Sequence, residues 1–515
     1  MLIDARQVEN DSLLEADLAI VGAGPAGITL ARAFAGSGQR VYLLESGGLA
    51  PDAETQGLYQ GENAGIDYPL AGSRLRYFGG SSGHWGGYCR PLDPIDFEVR
   101  DWVPHSGWPF GREALDPYYQ AASEAVQVAP PRFEDLDYWR ERTGEQLIDF
   151  RADRIHARFF QFSPPTYFGQ VYRDELAQAA DVSVLLHANV TNIAVVPSAE
   201  SVSHLAVQTL TGRRFQVRAR RYVLAAGGLE NPRILLLSDD VVPAGLGNGH
   251  DLVGRFFMDH PHLSGFAELV IADPRRLPTI YRSRVLVDGR KAQVAYTPTA
   301  DFLRSDRLLN ASFTMGVGKA YHDTDRAGLA ADDTGDRANL EMLQAARCFL
   351  TNGPNPIDPT DPAFVGVQMG IGCACEAVPN PDSRVTLAET TDALGLRRIR
   401  LDWQLTEQDR RSVVTHIRSL GREFAAAGIG RLQRKVADDG QWPTIVRGGN
   451  HHMGTTRMSD DPTRGVVDRN CRVHGIDNLY IAGSSVFPTS GSANPTINIV
   501  ALAYRLVDHL KGQPA

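Results

Sequence analysis

Four apolar residues in a row, Leu18 to Val21, stop at Gly22-Ala23-Gly24-Pro25-Ala26-Gly27, and the apolar positions of the following ITLARAFAGSG fall at helical spacing. A second short apolar run, Val41 to Leu44, ends in Glu45, with 17 residues (28–44) between Gly27 and that acid. Runs this short and this uniformly apolar predict strands buried on both faces, here joined by a helix in a βαβ unit. Tyr222 to Leu224, followed by Ala225-Ala226-Gly227-Gly228, predicts a later strand of the same sheet, with a Pro-containing helix start at Glu230-Asn231-Pro232-Arg233. Near the other end, Leu479-Tyr480-Ile481 reads as a strand running into Ala482-Gly483-Ser484-Ser485, and TINIVALAYRLVDHLK reads as an amphipathic helix with Asn494 as N-cap and Pro495 as its first residue.

From about 266 to 445 the texture changes: alternating strands such as Lys291 to Thr297 stand among stretches rich in Asp, Gly and Pro. Thr406 with Asp409 predicts a capping box opening a helix whose Val413, Val414, Ile417, Leu420 and Phe424 share one face, and Gly428 ends it. His416, inside that helix, reads as a surface or packing residue. Tyr321 to Arg337 and Thr351 to Pro362 read as solvated loops.

A chain of 515 residues is too long for one compact core, so two joined domains are expected. The net charge of -9 gives a nucleic-acid backbone no electrostatic reason to bind, which excludes that partner class. Five scattered cysteines do not resemble a disulfide framework, and Cys373 with Cys375 form only a CxC, so packed thiols and no metal site are expected. The opening MLIDARQVENDSLLEAD has early acids and no apolar segment, which argues against membrane insertion and makes the cytoplasm the expected location, with export beside a signal-bearing partner as the alternative.

The glycines have separable steric roles. Gly22 makes the tight turn, Gly24 lets backbone N–H groups approach a pyrophosphate, Gly27 lets helix and strand pack closely, and Pro25 opens the helix without losing a hydrogen bond. With Ala26 and Glu45, whose carboxylate suits ribose hydroxyls, they form a dinucleotide-binding fingerprint. Gly79-Gly80-Ser81-Ser82-Gly83-His84-Trp85-Gly86-Gly87 is dense in residues that leave N–H groups uncovered, as backbone approaching a flat cofactor requires. Toward the carboxyl end come His451-His452-Met453-Gly454-Thr455-Thr456-Arg457-Met458 and Pro488-Thr489-Ser490-Gly491-Ser492-Ala493-Asn494-Pro495.

These segments, with VGRFFMDHP at 253–261, resemble in order and wording the glucose-methanol-choline (GMC) family of FAD-dependent oxidoreductases, nearest its pyranose oxidase and glycoside 3-dehydrogenase side. The resemblance implies an α/β fold: an FAD-binding Rossmann-like domain assembled from the discontinuous segments 1–95, 180–265 and 446–515, plus a substrate domain with a mainly antiparallel sheet from 96–179 and 266–445. It implies a catalytic pair, His451 as base and Asn494 as its partner, with hydride passing to flavin N5. Besides the fingerprint, Gly79, Gly80, Ser81, Ser82, His84, Trp85, Ala226, Gly483, Ser484, Asn494, Pro495 and Thr496 are expected at the FAD, and Val190 at its adenine through the backbone. His84 stands where relatives carry a covalent flavin link, so either that bond or a hydrogen-bonding histidine packed by Trp85 is expected. His260 and His452 are expected at the substrate, with Asp259 framing the same wall. The implied substrate is a sugar, glycoside, aminoglycoside or cyclitol, and the acceptor is oxygen, a quinone or a redox protein, with a dehydrogenase as the working expectation. The rival readings are an oxygen-using oxidase of a non-sugar alcohol, a flavin-holding lyase without redox turnover, and a non-catalytic flavoprotein subunit.

Overall fold

The computed structural model describes residues 1–145, 147–148, 150, 153–263, 266–271, 277–322, 364–434, 442 and 446–513. Within these, the strands form sheets of eight, ten and three strands. In the first sheet, Leu13–Val21 lies between Val41–Leu44 and Arg214–Leu224 and runs parallel to both, with Leu18 opposite Val41 and Arg221. Leu2–Asp4 and Val182–Leu186 extend one side of it, and the antiparallel pair Val202–Gln208 and Asn189–Val195 the other. The carboxyl-terminal strand Leu479–Ile481 returns to pair in parallel with Tyr222–Leu224.

Two strands are longer than their apolar runs predict. Leu13–Val21 has nine residues and Arg214–Leu224 eleven, because their outer halves lie in a two-faced flap where Phe215, Val217 and Ala219 are buried and Arg214, Gln216 and Arg218 are exposed. Only the inner halves, covered on both faces, have the continuous apolar signature. The helices Pro25–Phe34 and Thr496–Lys511 pack on this sheet, so that Ile28 and Phe34 share one core with Ile497, Val500 and Ala501.

The ten-stranded sheet is antiparallel throughout its paired strands, with Ile155–Phe162, Arg290–Pro298, Ala311–His322 and Phe364–Cys375 as its long members. Its strands alternate, with register shifts in Ala311–His322 between Met315 and Gly318 and between Tyr321 and His322. Ile155, Ala157, Phe159, Ala292, Val294, Tyr296, Ile371 and Cys373 pack with Val413, Ile417, Leu420 and Phe424 of the helix Glu407–Ala426. The residues between them, among them Arg158, Phe160, Phe162, Gln293 and Ser312, point to the opposite face. That helix carries the predicted capping box of Thr406 and Asp409, and His416 is buried in it with Nε2 2.7 Å from the carbonyl of Leu309. Cys373 and Cys375 are buried side by side, their sulfurs 2.8 Å apart.

The two main sheets interleave along the chain. Tyr88–Cys89, Pro261–Leu263 and Val446–Gly448 belong to the ten-stranded sheet, while Tyr119, Ala122, Phe168 and Leu176 pack in the core of the eight-stranded one. Pro261–Leu263 and Val446–Gly448, expected in the cofactor domain, thus pair within the ten-stranded sheet. Gly61–Asn63 completes the small sheet with Arg384–Thr391 and Arg397–Asp402. Of the two stretches read as loops, Tyr321 and His322 end a strand, and 323–337 and 351–362 lie outside the described residues. Among the described residues no helix is long and apolar enough to cross a membrane, and no cluster of His, Cys, Asp or Glu could hold a metal ion.

Candidate active site

A cavity of about 390 Å³ opens at the carboxyl ends of four strands of the first sheet, where Val21, Leu44, Ala225 and Ala482 pass into turns. In parallel sheets this edge gathers helix N-termini and free backbone N–H groups, so ligands collect there. Its wall includes Gly22, Gly24, Pro25, Ala26, Glu45, Gly80, Ser81, Ser82, His84, Trp85, Val190, Ala226, Gly483, Ser484, Asn494, Pro495 and Thr496, and also His451 and His452.

Two glycines expected at the cofactor do not reach this wall. A Cβ on Gly27 would lie 1.9 Å from the carbonyl oxygen of Gly22, so Gly27 serves the close packing of helix on turn. Gly79, at φ 106°, would place a Cβ 2.6 Å from the nitrogen of Gly169 and packs against that neighbouring segment. Gly24 is different, because its missing side chain leaves open space. Gly24 caps Pro25–Phe34 without a side-chain hydrogen bond, and Pro495 does the same for Thr496–Lys511. Two helix N-termini thus present unsatisfied N–H groups and partial positive charge to one cavity, an arrangement that fits a diphosphate and an electron-accepting ring of a bound FAD.

The second of these starts differs from expectation by one residue. The helix begins at Thr496, Pro495 is the cap, and Ile499 N donates to Pro495 O at 2.8 Å. Asn494 does not cap this helix, and its amide Nδ2 is 3.1 Å from His451 Nε2. Glu45 ties two turns together: Oε2 accepts from Ala23 N at 3.0 Å and Oε1 from Gly47 N at 2.8 Å. Trp85 is anchored by Nε1 donating to Thr166 O at 3.1 Å, and the neighbouring His84 ring is exposed on the cavity wall, its imidazole pushed toward the neutral form by partial desolvation.

Around His451 the polar contacts form a chain. Asp259, fully buried, accepts from the backbone N–H groups of Gly449, Asn450 and His451 at 3.0, 3.1 and 3.0 Å, and from the Tyr68 hydroxyl at 2.5 Å. Burial pushes Asp259 up to about 6, against these donors, and the loop that carries His451 is held by its carboxylate. His260 does not line the cavity as a substrate contact would; it is buried behind His451, with Nδ1 3.0 Å from His451 Nδ1 and Nε2 3.3 Å from the carbonyl of Ser490. A carbonyl only accepts, so the His260 proton sits on Nε2, and burial, with a smaller contribution from His262, keeps that ring neutral by lowering it to about 4. His260 Nδ1 is therefore an acceptor, His451 Nδ1–H must donate to it, and His451 Nε2 is left with a lone pair. Burial, reinforced by His260, His262 and His452, holds His451 well below the usual imidazole range. The result is a neutral base whose Nε2 lone pair accepts from the Asn494 amide on the cavity wall.

His452 lines the cavity beside it, its ring packed against Tyr68 and Phe257 and lowered to about 3 by burial. The loop bearing Asn494 is fastened from behind. Thr489 Oγ1 donates to Asp96 O at 2.6 Å, Trp108 Nε1 to Thr489 Oγ1 at 3.0 Å, Ala377 N to Ser490 Oγ at 3.1 Å and Arg90 Nη2 to Ser492 Oγ at 3.2 Å. Tyr68 has no signature in the sequence, and the run that contains Ser490 does not mark its link to His260, because both roles exist only through partners 191 and 230 residues away. Tyr59, Arg74 and Arg76 also line the cavity; the two arginines precede the glycine-dense stretch in SRLRYF, where alternating charge beside a cofactor loop was a readable signal.

Residues 379–503 match the family described as GMC oxidoreductase, and 17–244 match that described as FAD dependent oxidoreductase. The chain is 24% identical to 2-methyl-1,2-propanediol dehydrogenase of Mycolicibacterium austroafricanum, over 96% of this chain and 95% of that one. It is 23% identical to the fructose dehydrogenase large subunit of Gluconobacter japonicus, over 97% and 98% of the two chains. Among solved structures, pyridoxine 4-oxidase from Mesorbium loti superposes with a TM-score of 0.55 at 19% identity, covering 97% of this chain and 100% of that one, and so shares the fold.

Proposed function

We propose that this chain, which belongs to the GMC oxidoreductases and takes FAD as its cofactor, oxidises a primary or secondary carbinol of a sugar, glycoside, aminoglycoside or cyclitol to the carbonyl. The observation that carries the reading is the 3.1 Å pair of His451 Nε2 and Asn494 Nδ2 on the wall of the cavity, with the tautomer of His451 set from behind. When bound, FAD supplies the two-electron acceptor. His451 Nε2 takes the hydroxyl proton of the substrate, and Asn494 Nδ2–H donates to the oxygen that gains negative charge. The imidazolium so formed is stabilised by its Nδ1–H bond to His260 and by the carboxylate of Asp259, whose Oδ1 is 4.0 Å from the same nitrogen. Asn494 cannot accept a proton at working pH, so the acid–base work falls on His451.

The polyol class rests on the names of the relatives, which act on a diol and on fructose. Anaerobic mixing of the holoprotein with sugars, aminoglycosides and cyclitols tests it: at least one class should bleach the flavin. In His451→Ala, FAD should stay bound while reduction slows by about a hundredfold or more. Equal reduction rates in the two proteins refute the assigned base, and a flavin that no alcohol bleaches favours the lyase reading. Acid precipitation of the holoprotein separates the two readings of His84, a yellow pellet meaning a covalent bond.

A further inference from the structure

One part of the cavity wall carries charge that alcohol oxidation does not use. Glu230, in the first turn of Glu230–Leu237, accepts from Arg74 at 2.8 Å, Arg76 at 3.3 Å and Arg233 at 3.3 Å, and Arg233 also reaches Asp392 at 2.7 Å. Burial opposes ionisation of Glu230, but the three arginines win and hold its carboxyl at about 2. Three guanidiniums against two carboxylates leave a net 3 − 2 = +1 among side chains no more than 10% exposed. Glu45, the other acid on the wall, is occupied by backbone N–H groups and forms no ion pair with these arginines within 4.0 Å.

An uncompensated charge at this depth is costly and persists where a ligand of opposite sign completes it. The incomplete group is Arg76. Its Nε is buried without a partner, its guanidinium lies 4.8 Å from the centroid of the Tyr59 ring, and Arg74 holds the same ring at 3.9 Å. The loop that bears it is pinned against the fingerprint turn, since Leu75 N donates to Ser81 Oγ at 3.2 Å and a Cβ on Gly80 would lie 3.1 Å from Gly24 Cα. Arg76 lines the same cavity as Gly24 and Pro25, which open the helix Pro25–Phe34.

We propose that Arg76, supported by Arg74 and Tyr59, is a cofactor-anchoring residue that pairs with the diphosphate of FAD, the anionic part of that molecule. The inference rests on the assignment of this cavity to FAD and adds a side-chain cation to the helix N-terminus already there. The test uses apoprotein in a His84→Ala background, so that a covalent bond cannot mask affinity. Arg76→Gln should raise the FAD dissociation constant, read by flavin fluorescence, at least tenfold and flatten its salt dependence, and Arg76→Lys should recover part of the loss. As a check that needs no variant at position 76, ADP should raise the melting temperature of the apoprotein and adenosine should not. An FAD affinity within twofold of the parent in Arg76→Gln, or equal protection by ADP and adenosine, overturns the inference. Failure of the unsubstituted protein to take up any FAD would instead overturn the assignment of the cavity.

Discussion

His260 is absent from the cavity wall, yet the geometry couples it to His451, the proposed base. In His260→Ala, His451 loses the acceptor 3.0 Å from its Nδ1. In the resting state this is a neutral buried hydrogen bond, worth about 1 kcal/mol net. Once His451 carries the substrate proton the same bond becomes charge-assisted and is worth about 1.5–3 kcal/mol. Only the difference between the two, about 0.5–2 kcal/mol, is lost from transition-state stabilisation relative to the resting state, and it slows reduction by roughly 2- to 30-fold, since each 1.36 kcal/mol is a factor of about ten. The ring that remains is also free to protonate on Nε2, which removes the lone pair the reaction needs. FAD content should be unchanged, because His260 is absent from the cavity wall. His260→Asn keeps an acceptor near the lost Nδ1 and should restore part of the rate. Anaerobic stopped-flow reduction, with the flavin-to-protein ratio measured on the same samples, reads both quantities. A rate within twofold of the parent, or a loss accompanied by loss of FAD, would refute the relay from Ser490 through His260 to His451.

Two further outcomes follow from the same contacts. Because burial and three neighbouring histidines depress His451, its base form should persist down through pH 6.5, and the acid limb of kcat/KM should lie below that pH; Asn494→Asp places a carboxylate beside Nε2, favours the imidazolium and should move the limb to higher pH. Arg100 and Glu376 form a two-pronged pair at 2.8 and 2.5 Å with side chains 1% and 0% exposed, so Arg100→Met should cost about 3–5 kcal/mol by stranding a buried carboxylate, whereas adding Glu376→Leu should return much of the melting temperature.

The amino-acid sequence by itself determined the parts of this protein whose physics is local. The strand, turn and helix from Leu18 to Phe34, the capping box at Thr406 and Asp409, and the glycine-dense loop before Trp85 follow from burial period, capping chemistry and backbone freedom over a few neighbouring residues. His451 and Asn494 stand out as candidates in the chain because their surroundings, HHMGTTRM and PTSGSANPT, each form a recognisable run. The tertiary structure decided which groups meet. His260 is expected from the chain at the substrate and becomes instead the partner of His451 when Pro261–Leu263 and Val446–Gly448 pair in one sheet. Asn494 reads as a helix cap until a histidine arrives 3.1 Å from its amide, and Arg76 reads as a loop arginine until Glu230, 154 residues away, gathers it into a buried cluster. Such contacts carry no local periodicity, because their energy comes from partners that only chain reversal brings together.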